Sequence, residues 1–330
     1  MTLSRRRFFQ TSAMGIAAVG AASGASFAQD VRKPRVALMP GLTTDSYYTT
    51  LRAGAQVAAD AFGLELIWQG APDFNPVTQV PVLEAVIAQQ PDVLLIAPTD
   101  TQQLVAPLRR AHDAGITVIT VDTYIGDGVY QTGATDWSFP LSAIASNNIE
   151  GGRLAGKALG ESVGGKGKVY VAHFRPGVST MDEREAGFRA YVQENFPEME
   201  VLGTQYNDND ASKAASQFEA VFARTPDLAG VFGANVFSAI GAANGVRAAG
   251  QSGKVKVCAF DAPETIIGDI RGGLVDLAIA QHPAEEGFFA VSAAVATFNG
   301  QSIPTKISTG FTVLTADNLD DPTFAKFIYK

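Results

Sequence analysis

The chain has 330 residues, of which 46% are hydrophobic and 18% are charged. This composition is typical of a globular protein with one large or two medium cores, and it excludes the disordered and fibrous classes. The net charge of −8 argues against binding to nucleic acid or to an anionic membrane surface, since both need clustered Lys and Arg. A small solute or a protein remains as the partner.

The first 28 residues have the pattern of an export signal. A basic segment with three consecutive arginines, residues 4–9, precedes a weakly apolar run at residues 13–25. That run is shorter than the roughly 20 strongly apolar residues of a membrane span. We therefore interpret residues 1–28 as a twin-arginine signal peptide and expect the mature chain to begin near Gln29. No cysteine follows the run to accept a lipid, so we expect a soluble product in the periplasm.

From residue 35 onward, short runs rich in Val, Ile and Leu alternate with longer amphipathic segments, which indicates parallel strands covered by helices. The fold class is therefore α/β. Nine strands are too many for one simple sheet, and the irregular stretch at residues 124–142 predicts a lobe boundary. The predicted strands are residues 35–39, 64–68, 92–97, 116–121, 168–172, 201–205, 230–233, 254–260 and 275–280.

The last long helix is predicted at residues 284–299, and an irregular C-terminal portion follows it. Pro81 falls inside the second predicted helix, which therefore either begins there or is kinked.

Polar side chains follow the apolar runs at the points where the strands end. Parallel sheets bind ligands outside the carboxyl ends of their strands, so these side chains are the candidate site. Asp122, Asn235 and Asp261 each have a structural alternative as helix N-caps. The candidates are Asp45, Tyr47, Tyr48, Asp122, Arg184, Asn209, Asn235, Asp261 and Gln281.

Carboxylates, amides, one guanidinium and aromatic rings are the groups that bind a neutral, hydroxyl-rich solute. Carboxylates accept hydrogen bonds from hydroxyls, Arg and amide groups donate to them, and a ring covers the C–H face. These candidate residues are poorly suited to an anionic ligand, because they contain three aspartates and one cation, Arg184.

Catalysis has little support in the sequence. The three histidines and the single cysteine, Cys258, show no metal-ligand spacing, and no nucleophile elbow or phosphate loop occurs. Cys258 lies in an apolar run and is expected to be buried. We therefore expect no enzyme activity, no catalytic residue, no metal and no cofactor.

Several short motifs carry a family resemblance over nearly the whole mature chain. They are Ala-Pro-Thr-Asp at 97–100, Ile-Thr-Val-Ile-Thr-Val-Asp at 116–122, Ser-Asn-Asn-Ile-Glu-Gly-Gly at 146–152, Arg-Glu-Ala-Gly-Phe at 184–188, Phe-Asp-Ala-Pro-Glu at 260–264 and Ala-Gln-His-Pro at 280–283. In these motifs the chain resembles the periplasmic ribose- and galactose-type sugar-binding proteins that serve ABC importers.

The resemblance implies two doubly wound parallel-sheet lobes, joined by a three-segment hinge and closing on a monosaccharide or polyol. It implies crossings near residues 146–148, 281–283 and 310. The N-terminal lobe would comprise residues 31–146 with 283–309, and the C-terminal lobe residues 147–282 with 310–330. The implied partner is an ABC permease in the inner membrane, and the implied state is a monomer.

The chain departs from the ribose-binding pattern at three positions of the site. Ala97 stands where ribose binders carry Asn, Thr123 where they carry Arg, and Asn209 where a stacking aromatic ring is usual. The missing ring could come from Trp137 or Phe174. The resemblance therefore leaves the ligand open among pentoses, hexoses, deoxy sugars and polyols.

Three other functions share this fold. A sugar-responsive transcription repressor would need a helix-turn-helix where this chain has its export signal. A sensory protein that presents its ligand to a chemoreceptor or kinase, and a binder of a furanosyl autoinducer, both remain as alternatives to transport.

Overall fold

Two separate β-sheets, each covered by helices, organise the chain. The computed structural model describes residues 32–330, and Pro34–Lys330 form one compact unit. The predicted export signal, residues 1–28, lies outside the described residues. Among the helices of residues 32–330, none combines the length and the apolar character that a bilayer crossing requires.

The first sheet has six strands, all paired in parallel, in the order β12-β5-β4-β3-β1-β2. β1 and β3 read Val-Ala-Leu-Met and Val-Leu-Leu-Ile and are buried at every residue, because helices cover both faces of the sheet. The strands are β1 Val36–Met39, β2 Leu66–Trp68, β3 Val93–Ile96, β4 Thr117–Val121, β5 Ser142–Ser146 and β12 Lys306–Thr309.

The second sheet has the order β13-β11-β10-β9-β6-β7, and the short strand β8 pairs with β6. All its pairings are parallel except that of β13 with β11, which is antiparallel. Its strands are β6 Lys166–His173, β7 Glu198–Val201, β8 Gln205–Tyr206, β9 Leu228–Gly233, β10 Lys256–Phe260, β11 Leu277–Gln281 and β13 Phe311–Thr315.

The chain crosses between the two sheets at three places. It passes from β5 into the first long helix of the second lobe, from β11 back into a helix that packs on the first sheet, and from β12 to β13. The predicted fold class, two α/β lobes joined by three segments, is therefore confirmed.

Helices fill both faces of each sheet. Polar side chains cap several of them, and Asp45, Asn75, Asn147 and Asp210 each accept a backbone N–H of the first turn. The helices are α1 Ser46–Phe62, α2 Pro76–Ala88, α3 Val105–Asp113, α4 Asn148–Ser162, α5 Ser179–Asn195, α6 Ala211–Arg224, α7 Val236–Ala248, α8 Glu264–Arg271, α9 Pro283–Phe298 and α10 Pro322–Ala325.

The sequence-based elements differ from the structure at a few points. The strand predicted at residues 201–205 is wrong, because residues 202–204 separate β7 from β8. The second helix begins at Pro76, five residues before Pro81, since Asn75 caps it. Strands β5, β12 and β13 were not predicted.

Reciprocal glycines bring one pair of helices into close contact in each lobe. A Cβ on Gly54 of α1 would lie 1.9 Å from the backbone oxygen of Ala284, and one on Gly287 of α9 would lie 1.9 Å from that of Leu51. A Cβ added to Gly152 of α4 or to Gly187 of α5 would lie 2.1 or 2.0 Å from a backbone oxygen of the opposite helix. Both helix pairs therefore pack backbone against backbone.

Candidate functional site: a cavity between the lobes

The carboxyl ends of the two sheets face a common cavity. It contains about 520 Å³ of space unoccupied by protein atoms, part of it open to solvent. Nine of the ten predicted site residues line it: Asp45, Tyr47, Tyr48, Asp122, Arg184, Asn209, Asn235, Asp261 and Gln281.

Asp122 and Asp261 occupy equivalent positions in the two lobes. Each follows the last residue of a strand, has a positive φ of 59° or 75°, and donates its backbone N–H over 2.9 Å to the neighbouring strand, at Ile144 or Ile279. Such φ values cost a non-glycine residue energy and recur at functional sites. The N-cap alternative is wrong for both residues, since the cap of α8 is Pro263 and no helix follows Asp122 directly.

Asp45 and two tyrosines bring the start of α1 to the cavity. The Asp45 carboxylate caps the helix by accepting the Tyr47 N–H at 2.8 Å. The Tyr48 hydroxyl donates to Asp122 at 2.6 Å, and the Tyr47 hydroxyl donates to Glu286 at 2.8 Å. Glu286, on α9, was not predicted and supports Tyr47 from behind the cavity wall.

Arg184 is the cation of the cavity and is fully buried. Its guanidinium donates to Asn148 Oδ1 at 2.8 Å and to the Ala234 carbonyl at 3.0 Å, and it lies 3.8 Å from Asp261 Oδ2. It also stacks on the Phe260 ring at 3.8 Å. These contacts hold the guanidinium in one orientation.

The amide side chains are fixed in the same way. Asn235 caps α7, as its structural alternative predicted, and also donates to Asn209 Oδ1 at 2.6 Å. Gln281 donates to Asp261 Oδ1 at 2.7 Å, and the buried Tyr329 hydroxyl donates to the same oxygen at 3.0 Å. Gln281 Oε1 is buried and has no hydrogen-bond partner among residues 32–330.

The aromatic part of the prediction needs a correction. Trp137 does not line the cavity, because its ring covers Gly126 and its indole N–H donates to Asp127 Oδ1 at 3.0 Å. Phe174, the other candidate ring, does line it and meets the ring of Phe74 from the opposite lobe at 6.1 Å. Sequence reasoning missed the remaining lining residues, which are Leu42, Phe74, Val178, Thr180, Met181, Val236 and Phe237.

A family model described as a periplasmic binding protein domain matches residues 36–302 of the chain. The chain belongs to this family. This periplasmic binding protein is 61% identical to an ABC transporter solute binding protein from Agrobacterium vitis, whose crystal structure was solved bound with alpha-D-tagatopyranose. The two structures superpose with a TM-score of 0.88 and cover 90% of this chain and 100% of the other.

More distant relatives also include sugar-binding proteins. The D-ribose/D-allose-binding protein of Pseudomonas aeruginosa is 28% identical over 83% of this chain and 85% of its own length. A solute binding protein from Burkholderia graminis, solved in complex with D-arabinose, is 26% identical, with a TM-score of 0.77 over 87% of this chain and 96% of its own.

Burial governs the electrostatics of the binding protein's cavity. Burial is the main reason that the pKa of Asp45 and the pKa of Asp122 are both raised to about 6. The hydrogen bonds from Tyr47 and Tyr48 and the charge of Arg184 oppose this rise, and the charge of Asp261 adds to it. Burial, together with the charge of Asp122, also raises the pKa of Glu286 well above its usual value. The cavity is therefore rich in hydrogen-bond acceptors and carries its positive charge on Arg184.

Proposed function

We propose that this protein is the periplasmic solute-binding component of an ABC sugar importer, and that it holds one monosaccharide or polyol between its two lobes. The observation that carries the proposal is the arrangement of acceptors around the cavity. Asp122 and Asp261 face it from opposite lobes, Gln281 Oε1 is a buried acceptor with no partner among residues 32–330, and Arg184 is a fixed donor. A ligand rich in hydroxyls satisfies all of these groups at once.

The ligand-binding residues proposed are the nine predicted residues that line the cavity, with Phe174 and Phe74 as the rings that cover the C–H face of the sugar. Trp137 is not among them. D-tagatose is the first ligand to test, because it occupies the relative that is 61% identical. A ketohexose in its ring form offers the hydroxyls and the apolar face that the cavity requires.

The proposal includes binding without catalysis. The carboxyls of the cavity are engaged as acceptors, Asp45 by the Tyr47 amide, Asp122 by Tyr48, and Asp261 by Gln281 and Tyr329. Groups held in this way orient a ligand. Binding then shifts the population from open to closed lobes, since the ligand contacts both lobes only when they are closed.

The remaining parts of the proposal concern location and assembly. Residues 1–28 would direct export through the twin-arginine route, and the mature protein would act as a monomer that docks on a permease. The lobes proposed are residues 31–146 with 283–309, and 147–282 with 310–330. The two separate sheets support this division, since the first contains β12 and the second contains β13.

A thermal-shift screen of residues 29–330 tests the function. D-tagatose, D-allose, D-ribose, D-arabinose, D-fucose and polyols are added in turn. A true ligand at about one hundred times its Kd adds roughly 2.7 kcal/mol to the free energy of unfolding. Asp122→Ala should abolish the shift, whereas Asp320→Asn should keep it, because Asp320 forms only an exposed ion pair with Arg271. A folded protein that shifts with no sugar or polyol would overturn the proposal.

A further inference from the structure

Outside the cavity, the two lobes also bind each other directly. Tyr124 follows β4 in the first lobe, and its hydroxyl donates to Glu183 Oε1 of α5, in the second lobe, at 2.8 Å. The Tyr124 backbone N–H donates to Ser179 Oγ of the same helix at 3.3 Å. Neither Tyr124 nor Glu183 lines the cavity. This contact therefore joins the lobes without needing the ligand.

Tyr124 begins the irregular segment of residues 124–141, which contacts within the first lobe hold in shape. The Tyr130 hydroxyl accepts the Ile125 N–H at 3.1 Å, and the Gly126 N–H donates to the Thr101 carbonyl at 2.7 Å. Gly126 has a φ of +62°, and a Cβ there would lie 2.0 Å from the Trp137 ring. The segment thus presents Tyr124 in a fixed position, which lowers the entropy cost of forming an interlobe contact.

The Tyr124 hydroxyl is a reliable donor. Burial, followed by the charge of Glu183 and a smaller contribution from Asp182, raises its pKa above the ordinary tyrosine value, so the hydroxyl keeps its proton throughout the physiological range. Its acceptor is a carboxylate, and hydrogen bonds to ionised groups are roughly twice as strong as neutral ones. Both side chains are only half-buried, so water replaces the contact when the lobes separate.

We propose that Tyr124 and Glu183 form an interlobe latch that sets how long this protein retains its ligand. The inference rests on the proposed function, because it concerns the closed state of the same cavity. The ligand enters the open form, in which the latch is absent, so the latch leaves the association rate unchanged. It stabilises the closed form and therefore slows dissociation, whatever sugar is bound.

Stopped-flow kinetics with D-tagatose tests the latch. Tyr124→Phe removes the donor and should raise koff about tenfold, as expected for the loss of a hydrogen bond to a charged group, with kon within about twofold. Glu183→Gln keeps a neutral acceptor and should raise koff by a smaller factor. The double variant should be no faster than Tyr124→Phe alone, because both changes remove one interaction.

Tyr206→Phe is the matched control. Tyr206 lies on β8 of the second lobe and is 40% exposed, and its hydroxyl makes no interlobe hydrogen bond in residues 32–330. Its koff should equal that of the wild type. Effects of Tyr124→Phe and Glu183→Gln that simply multiply, or a koff unchanged in both, would overturn the latch.

A second readout separates failure of the latch from failure of the proposed function. Spin labels on cysteines introduced at Val77 and Ser212, which lie exposed in the first turns of α2 and α6, report the distance between the lobes. Cys258 is fully buried and leaves these thiols as the reactive ones. If D-tagatose fails to bind, the ligand-free protein still tests the latch: Tyr124→Phe should deplete the short-distance population, and identical distributions would overturn the proposal.

Discussion

At the scale of single residues, the site combines strong hydrogen bonds with an unfavourable burial of charge. Asp122 is 6% exposed and keeps Tyr48 as its donor, yet burial raises its pKa to about 6. In the unfolded chain its pKa is near 3.9. The folded protein therefore holds the Asp122 proton more tightly than the unfolded chain does, and this linkage fixes the sign of the pH dependence.

Asp122→Asn should stabilise the ligand-free protein at pH 7. In the wild type, the contribution of Asp122 to the free energy of unfolding is fully present below about pH 4 and is lost as the pH rises through about 6. The free energy of unfolding of the variant should therefore exceed that of the wild type by roughly 1 to 3 kcal/mol at pH 7 and by little at pH 4. Urea unfolding at both pH values measures the difference. Asp320→Asn, at an exposed residue, is the control and should change neither value by more than about 0.5 kcal/mol.

The same group should make ligand affinity depend on pH. An ionised carboxylate accepts hydrogen bonds from two hydroxyls, and protonation removes part of that capacity. Because the pKa of Asp45 and that of Asp122 are about 6, affinity for D-tagatose should fall about tenfold for each of these groups between pH 7 and pH 5. This loss should be smaller in Asp122→Asn, whose affinity is low at both pH values. A wild-type affinity that is flat over this range would show that the carboxyls bind the ligand in their protonated form.

At the scale of secondary structure, helix pairs position the side chains that line the cavity. α4 and α5 pack through Gly152 and Gly187, and the backbone oxygen that Gly152 faces belongs to Arg184. Any separation of these helices therefore moves the cation of the cavity. In the first lobe, the packing of α1 against α9 fixes the position of Tyr47, since α1 carries Tyr47 and α9 carries its acceptor Glu286.

Gly152→Ala should weaken both folding and binding. Its Cβ would lie 2.1 Å from the Arg184 carbonyl oxygen, so the helices must separate at a cost of roughly 1 to 3 kcal/mol. Gly268→Ala, on α8, is the matched control: nothing lies within 4 Å of its Cβ, and helix propensity should make it neutral or stabilising by up to about 1 kcal/mol. Urea denaturation and D-tagatose titration compare the two, and equal results would contradict this account of the packing.

The sequence predicted the elements whose signal is local. β3 is Val-Leu-Leu-Ile and β4 is Thr-Val-Ile-Thr-Val, and such apolar, largely β-branched runs are typical of buried parallel strands. β5, Ser-Ala-Ile-Ala-Ser, and β12, Lys-Ile-Ser-Thr, carry weak hydrophobic patterns, and their places in the sheet make them strands. β5 pairs with β4 on one side and with β12 on the other, and the second pairing joins Ala143 to Lys306, which no local pattern reveals.

The same reasoning explains which site residues were predicted. Strand ends converge at one edge of each parallel sheet, so Asp122, Asp261 and Gln281 could be found from periodicity alone. Phe74 belongs to the connection between β2 and α2, and Met181 to the first turn of α5, and tertiary packing decides that both reach the cavity. Trp137 was misplaced because a glycine with positive φ at residue 126 offers its ring a nearer surface than the cavity.

At the scale of the whole molecule, the two lobes are interleaved along the chain. Two elements of the first lobe, helix α9 and strand β12, follow the central strands of the second lobe along the chain. α9 packs against α1, and β12 is the edge strand that completes the first sheet. Neither lobe is therefore a continuous stretch of sequence.

This interleaving predicts a single cooperative unfolding transition. Calorimetry of the ligand-free protein should give one peak whose calorimetric and van't Hoff enthalpies agree. Unfolding of one lobe would release the crossing segments that fix the strands of the other lobe in place. Limited proteolysis should likewise release no stable lobe. Two resolved transitions would show that each lobe holds its own structure despite the three crossings.

The carboxyls that face each other across the cavity also act on the empty protein. Asp45, Asp122 and Asp261 meet a single cavity cation, Arg184, when the lobes come together. Without hydroxyl donors, closing the lobes confines like charges in a medium of low dielectric, which works against the Tyr124–Glu183 contact and lowers the closed fraction of the empty protein. In the proposed role, an unloaded protein in the closed shape would compete with loaded ones for the transporter. In that role the acidic cavity has two effects on transport. It binds the ligand, and it keeps ligand-free molecules out of the closed form that the transporter would bind.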